Sequence, residues 1–410
     1  MELTRAYKFR IHPDAKRQGE IDERLVLAQQ FYNKILEKSI ASYQNGKTKV
    51  SMAQFNRFVK EIIQEDRKYL KLYSQTRCEI EFRLLKAYQN FFRRIREGNR
   101  KAGFPRFRSR DRYKSITYPQ DNGSFSIRKG RLRVSRIGTM PIVLHRKIEG
   151  TIKTLAIKRE GKDYYAVFTA EQIINSKEVK DTNPVGIDLG INNFIALSDG
   201  QTIQKPKFLK KREKRIARWQ RIVARRSKGS KRRQEAKETL QREWNGVTNQ
   251  SNDFMHKLSD RLVHEGYTSF AVEALHIQNM MKNHNLAQSI QNASWSRFIN
   301  MLSYKAESAG MKVYRIDPRD TTQECSSCHN IKKGKERLTL NDRIYHCNIC
   351  GLTMDRDINA SINILNRATF GQKGSNAQGD MASAIQQESK SRIDELRTDK
   401  THPLRDAVIA

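Results

Sequence analysis

Four cysteines stand as two pairs, Cys325-Ser-Ser-Cys328 and Cys347-Asn-Ile-Cys350, with eighteen residues between them. In each C-x-x-C turn two thiolates can converge on one ion, and two such turns complete a tetrahedron of sulfur. The spacing lies in the zinc-ribbon range. Four thiolates leave no open coordination position, so Zn²⁺ is expected here as a structural ion. His329 and His346 adjoin the cysteines but are surplus to the set, and they read as surface or nucleic-acid-facing residues. The fifth cysteine, Cys78, lies on an amphipathic segment and reads as a small packing residue.

Three carboxylates stand where carboxylates are costly. Asp188 follows Val185-Gly186-Ile187 in a strand-like run, and Glu273 ends the apolar run Phe270-Ala271-Val272. Asp357, two residues after Asp355, lies just before an apparent helix from Ala360 to Leu365. An acid in an apolar strand needs a partner or a cation. Each alone is open between a cap, an ion pair and an active-site role, and Asp357 equally fits a helix N-cap. Together they suggest hard oxygen ligands for Mg²⁺ or Mn²⁺, with which two ions can promote in-line phosphodiester hydrolysis. No Ser-His-Asp or Cys-His set competes, and no Gly-x-x-x-x-Gly-Lys loop points to ATP chemistry.

The chain has 410 residues, with 79 Lys+Arg against 44 Asp+Glu and a formal net charge of +35. Such an imbalance repels itself unless a polyanion neutralises it, so the expected partner is nucleic acid, for a ribosome-associated protein as much as for an enzyme. Between Lys205 and Arg233 there are fifteen Lys or Arg and one acid, Glu213. Lys210, Arg212, Arg215, Arg218, Arg225 and Arg226 of this run are candidate phosphate contacts. If six to ten such charges neutralise phosphates, affinity should fall by roughly 10³–10⁵ between about 50 and 200 mM salt. A second basic patch holds Gly103-Phe-Pro-Arg-Phe-Arg108, where Arg106 and Arg108 alternate with aromatics; it can stack on bases or be a packed turn. No run approaches the ~20 apolar residues of a membrane span. Met1 to Arg5 lead into alternating residues instead of an apolar leader, so a cytoplasmic, prokaryotic setting without a membrane is expected.

The elements that must position these groups are legible from periodicity. Residues 5–12 alternate as a half-buried strand, and helical spacing follows from Asp14 to about Gln44, with Asn45-Gly46 as its stop. Ser51 and Gln54 form a capping-box signature for a second helix, and a third is expected from Leu70 to Ile95. Hairpins are expected about Lys129-Gly130 and about Glu160-Gly161-Lys162. Residues 185–198 form a further hairpin, 205–244 a long basic helical stretch, and 269–273 a buried strand. A helix from Ser294 to Gly310 and a strand from Lys312 to Ile316 follow, and 371–410 read as a disordered tail.

Several segments stand in a characteristic order along the chain: Ala87-Tyr-Gln-Asn-Phe-Phe92, Gly103-Phe-Pro-Arg-Phe-Arg108, Gly186-Ile-Asp-Leu-Gly190 and His256-Lys-Leu-Ser259. Val272-Glu-Ala-Leu275, Tyr304-Lys-Ala306, Thr321-Thr-Gln-Glu-Cys-Ser-Ser-Cys328 and Asp355-Arg-Asp-Ile-Asn-Ala360 complete the series, which covers the chain to about residue 370. Together they resemble the TnpB family of transposon-encoded nucleases, related to type V CRISPR effectors. His329 departs from the glycine usual after the first knuckle, and Thr322 from a usual serine.

The resemblance implies a multidomain α+β protein. An RNase H-like (RuvC) α/β nuclease domain would occupy 181–318 and 352–370, with the catalytic triad Asp188, Glu273 and Asp357. A zinc ribbon at 319–351 would interrupt it, a β-rich wedge domain would comprise 1–12 and 101–180, and 13–100 would be a helical recognition domain. It further implies an RNA-guided DNA endonuclease with a guide RNA from the transposon end, a double-stranded DNA target, and one protein copy per ribonucleoprotein. Ser74, Gln75 and Arg77 would then read a short motif beside the target. A transposase and a cleavage-inactive guided repressor are the alternatives.

Overall fold

The computed structural model describes residues 2–44, 51–98, 102–173, 179–275, 294–339 and 341–374. Packing divides the chain into two units, Met1–Asn175 with Arg215–Asn245, and Ser176–Lys214 with Gly246–Ala410.

The first unit is built on a seven-stranded sheet in the order β2-β6-β7-β1-β5-β4-β3. Its strands are β1 (Glu2–Ile11), β2 (Ser115–Tyr118), β3 (Phe125–Arg128), β4 (Arg131–Val134), β5 (Gly138–Val143), β6 (Thr151–Glu160) and β7 (Asp163–Ile173). β1 runs antiparallel between β7 and β5, so the helices that follow it enter the chain between two members of one sheet. Alternation places Tyr7, Phe9 and Ile11 in the core while Lys8 and Arg10 face outward. Lys129 and Gly130 both take positive φ, the requirement of a two-residue hairpin turn.

Three helices share the core of this sheet, α1 (Ala15–Gln44) and α3 (Ser74–Arg96) against its strands and α2 (Met52–Glu65) against those two helices. Asp14 caps α1 by accepting the Arg17 N–H at 2.8 Å. Ser51 caps α2 through Gln54 N–H, but the Gln54 side chain reaches Ser42 Oγ at 2.7 Å, so only half of the capping box forms. Leu25, Phe31, Ile35, Phe55, Ile80, Leu84 and Tyr88 are buried, and Ser39 Oγ meets Tyr88 OH at 2.9 Å. The expected helix from Leu70 is broken. Residues Arg67–Lys71 form a separate 3₁₀ turn, Leu72 and Tyr73 are extended, and α3 starts at Ser74. Cys78, read as a small packing residue, is exposed on α3. The helix stop read at Asn45-Gly46 lies outside the described residues.

The basic stretch forms two helices, α4 (Phe208–Arg225) and α5 (Lys231–His264), joined through a turn at Ser227–Ser230. Residues 215–245, read from the sequence within one stretch 181–318, group with the first unit.

The second unit holds a five-stranded sheet in the order β10-β9-β8-β11-β12. These strands are β8 (Pro184–Asp188), β9 (Ile195–Leu197), β10 (Thr202–Ile203), β11 (Ser269–Glu273) and β12 (Lys312–Ile316). β8, β9 and β10 pair antiparallel, whereas β11 runs parallel to both β8 and β12. Every residue of β11 is buried, as expected of a parallel strand covered on both faces. One cover includes α6 (Trp295–Ser308), where Phe298 meets Phe194 with ring centroids 5.1 Å apart. Another is α7 (Arg356–Gly374), which carries Ile364 and Ala368 against Ala271. Of the tail read as 371–410, residues 371–374 belong to α7, which runs to Gly374; the remainder lies outside the described residues.

Candidate active site and zinc centre

Asp188 is the last residue of β8 and Glu273 the last of β11. Ile187 is in register with Val272, so the next residue of each strand, an acid in both, lies on the same face of two adjacent strands. Strand ends of a parallel pair are the usual place for a site in an α/β sheet. Asp357 arrives from α7. Gly186 permits the approach: a Cβ there would lie 2.0 Å from the Ser361 carbonyl oxygen and 2.9 Å from the Leu365 nitrogen. Only a residue without a side chain lets this helix lie directly on β8.

The three acids are 7%, 8% and 6% exposed, in chain order. Burial raises the Asp188 carboxyl well above its usual range, and the nearby charges of Glu273 and Asp357 raise it further, against a smaller opposing effect of Arg356. Burial also raises Glu273, while a hydrogen bond from Thr321 Oγ1 lowers it. Asn193 Nδ2 donates to Asp357 Oδ2 at 3.4 Å, and Arg356 Nη2 reaches Oδ1 at 3.2 Å. The charges of Glu273 and Asp357 bear on Asp188, and carboxylate oxygens are donors of the kind that suits Mg²⁺ or Mn²⁺. Among the described residues, however, only the four cysteines bring three or more ligand atoms close enough together to hold one ion.

The cap question at Asp357 has a definite answer. Asp355 Oδ1 accepts the N–H groups of Asp357 at 2.8 Å and Ile358 at 3.2 Å, so Asp355 caps α7. Asp357 stands inside the first turn with its carboxylate left for the acid cluster.

The cysteines form a second centre. Their four sulfurs lie within 4.8 Å of one another, with Cys325 to Cys350 at 3.6 Å and Cys328 to Cys347 at 3.5 Å. Tetrahedral zinc with bonds of about 2.3 Å holds its sulfurs about 3.8 Å apart, so the set fits Zn²⁺. Backbone hydrogen bonding from Cys350 lowers the Cys347 thiol, the direction that favours the thiolate a metal needs. Each knuckle closes with a residue in the left-handed region, Gly351 (φ 74°) and His329 (φ 59°). That conformation suits glycine, and His329 adopts it while its Nδ1 sits 2.9 Å from Glu324 Oε1. Strands β13 (Ile344–His346) and β14 (Thr353–Asp355) bury Tyr345 against Cys325 and Cys347, and β14 runs straight into α7.

The residues read as nucleic-acid contacts divide by environment. Arg106, Arg108, Lys210, Arg215, Arg218 and Arg225 are exposed, as is Ser74 at the start of α3; Gln75, Arg77, Arg212 and Arg226 are half-buried. Several are already engaged. Arg77 Nη1 donates to the Leu72 carbonyl at 2.7 Å, Arg215 pairs with Glu243 at 2.5 Å, and Arg226 donates to the Arg232 carbonyl. Arg212 lies over Gly246, within 2.7 Å of where a Cβ would stand. The Gly103–Arg108 patch is part packed turn: Phe104 packs on Tyr88 and Phe91, whereas Phe107 is 56% exposed. Asn33 Oδ1 accepts the Arg108 N–H at 2.8 Å and fixes the segment on α1.

Over 89% of its length the chain is 31% identical to a Streptomyces pristinaespiralis protein named "Putative RNA-guided DNA endonuclease", 89% of which it covers. The family described as "Probable transposase" (OrfB_IS605) matches residues 164–284, and the Cas12f1-like TNB domain matches 295–364. The chain belongs to the TnpB family. Another relative of this TnpB chain is InsQ of Escherichia coli (strain K12), 24% identical over 89% of the chain and 92% of that protein. Among solved structures, a Cas12f1–sgRNA–target DNA complex superposes with a TM-score of 0.57 at 13% identity, over 90% of this chain and 99% of that one. This likeness shows the multidomain fold. A helix-turn-helix family model matches residues 1–48, but the described part of that segment is β1 followed by the single helix α1.

Thr321, Arg356 and Asn359 lie in motifs quoted above, but sequence reasoning assigned no role to them, to Asn193, or to Asn363 and Arg367, which continue a polar stripe on α7. The stripe had a signal in its four-residue spacing, which puts three polar side chains on one helix face.

Proposed function

We propose that this TnpB protein is an RNA-guided DNA endonuclease. A guide RNA from the transposon end pairs with one strand of a duplex target, and a RuvC-like centre of Asp188, Glu273 and Asp357 cuts the DNA. The observation that carries the reading is the convergence of three buried acids at the ends of two parallel strands and the first turn of α7. Three antiparallel strands followed by two parallel ones fit an RNase H-like sheet. The names borne by the relatives point the same way.

The protein's own residues supply position and charge. Asp188 and Glu273 project from strand ends whose backbone is fixed by the sheet, and Asn193 and Arg356 each engage one oxygen of Asp357. The chemistry that bound Mg²⁺ or Mn²⁺ supplies is activation of water and neutralisation of charge on the leaving oxygen. The zinc ribbon, 319–351, is structural and belongs to target handling. Residues 13–100 act as the recognition domain, 1–12 with 101–180 as the wedge, and 181–318 with 352–370 as the nuclease. Ser74, Gln75 and Arg77 meet the flanking motif, and the exposed cations grip phosphates, while base pairing carries sequence specificity. One protein copy serves each ribonucleoprotein, in the prokaryotic cytoplasm; no described helix is long and apolar enough to cross a membrane.

The test is to express the protein with its flanking element, sequence the bound RNA, and incubate the complex with matched plasmid DNA and Mg²⁺. Guide-matched cleavage that Asp188→Ala abolishes is the expected result. Target binding without cleavage would instead indicate a guided repressor. Strand joining would support the transposase reading that one family description suggests.

A further inference from the structure

We propose that Thr321 is a positioning residue for the Glu273 carboxylate and is itself held in place by α7 and the first zinc knuckle. The inference rests on the nuclease reading above. Thr321 is 2% exposed, and its Oγ1 donates to Glu273 Oε1. The Pro318 carbonyl lies farther from the same hydroxyl, at 3.3 Å. A hydroxyl has one proton, and the charged, closer acceptor takes it. With Thr321 bonded to Oε1, rotation of the carboxylate breaks a buried hydrogen bond, so the hydroxyl fixes how the carboxylate presents its remaining lone pairs.

Thr321 belongs to a strap between β12 and Cys325 that is fastened along its length. Asn363 Nδ2 donates to the Thr321 carbonyl at 3.0 Å and to the Glu324 carbonyl at 2.7 Å. One turn earlier on α7, Asn359 donates to the Glu324 carbonyl at 2.7 Å and accepts the Ser326 N–H at 3.0 Å. One turn later, Arg367 bonds the Asp317 carbonyl and the Glu324 carboxylate. Cys325 follows at once, so the strap ends at a zinc ligand. The helix that carries Asp357 thus also holds the hydroxyl that orients Glu273, and the zinc knuckle closes the far end of the strap. Partners of this kind on ligating groups typically change metal affinity by about 10- to 100-fold.

The experiment compares Thr321→Val, which keeps the shape and loses the hydroxyl, with Thr321→Ser, which keeps the hydroxyl and loses the methyl. Mn²⁺ binding to the full-length, zinc-loaded protein is read by electron paramagnetic resonance without DNA, with Asp188→Ala as control. The Mg²⁺ concentration for half-maximal guided cleavage is read separately. Thr321→Val should weaken Mn²⁺ binding on the order of 10-fold and raise the Mg²⁺ requirement in the same proportion. Guide-RNA binding and zinc content should stay unchanged, and Thr321→Ser should behave as wild type. Normal Mn²⁺ binding by Thr321→Val, or impairment of Thr321→Ser alone, would show a packing role and overturn the proposal. If Asp188→Ala binds Mn²⁺ as well as wild type does, the nuclease centre itself is misassigned, and Thr321 has no metal site to serve.

Discussion

Gly186→Ala is the smallest change that should dislocate the acid cluster without touching a carboxylate. The added Cβ would stand 2.0 Å from the Ser361 carbonyl oxygen, 2.9 Å from the Leu365 nitrogen and 3.0 Å from the Leu365 Cβ. Two of these three neighbours are backbone atoms of α7, so no rotamer change relieves the contact. Real Cβ contacts essentially never fall below 3.0 Å, so α7 must retreat by at least about 1 Å, and a misplacement of that size can cost about 10²-fold in rate. Gly186 has no positive φ, so alanine brings no backbone strain of its own. Overpacking of this kind costs about 1–3 kcal/mol, and in a unit of this size each kcal/mol lowers the melting temperature by about 2–4 °C. Single-turnover cleavage of guide-matched DNA should therefore fall about 10²-fold, with a lower melting temperature but unchanged guide-RNA retention. Wild-type cleavage at a wild-type melting temperature would falsify the claim that α7, seated on β8, places Asp357.

Two further outcomes are expected. Cys347→Ser should lose the zinc that the wild type retains, because Cys347 is 1% exposed at the centre of the four-sulfur cluster; elemental analysis with a thermal melt reads it, and full zinc occupancy would refute the ribbon assignment. Glu81 is 2% exposed on α3, and burial raises its carboxyl from 4.5 to about 7, against a smaller opposing effect of Arg77. The folded state thus binds more protons between those values, so this group's contribution to stability declines as pH rises through the window. Glu81→Gln should leave stability near wild type at pH 4 and raise it on the order of 3 kcal/mol at pH 8. Thermal melts at the two values check it; a gain of equal size at both would show that ionisation is not the cause.

Local chemistry was readable wherever neighbours in sequence decide the conformation. The Lys129-Gly130 turn, the Ser51 cap and the strand ending at Glu273 each follow from a few adjacent residues. Readings failed where a distant contact intervened. The periodicity through Leu70 and Ile80 suits one helix, yet Leu72, 2% exposed, is drawn into the core and the chain breaks there. Cys78 has the type of a core residue, but its place on α3 faces outward. Thr321 lies in a motif whose local sequence gives it no partner, because its contact with Glu273 spans 48 residues.

By itself the sequence determined the candidate acids, the two cysteine knuckles and the strands that carry Asp188 and Glu273, because turn chemistry and hydrophobic periodicity act over a few residues. It left Asp357 open between a cap and a ligand. Tertiary structure alone decided that Asp355 takes the cap, that Asp188 and Glu273 share a face, and that α7 lies close enough on Gly186 to bring Asp357 to them. The physical reason is that strand register and helix seating are set by long-range hydrogen bonding and packing, which no window of sequence contains.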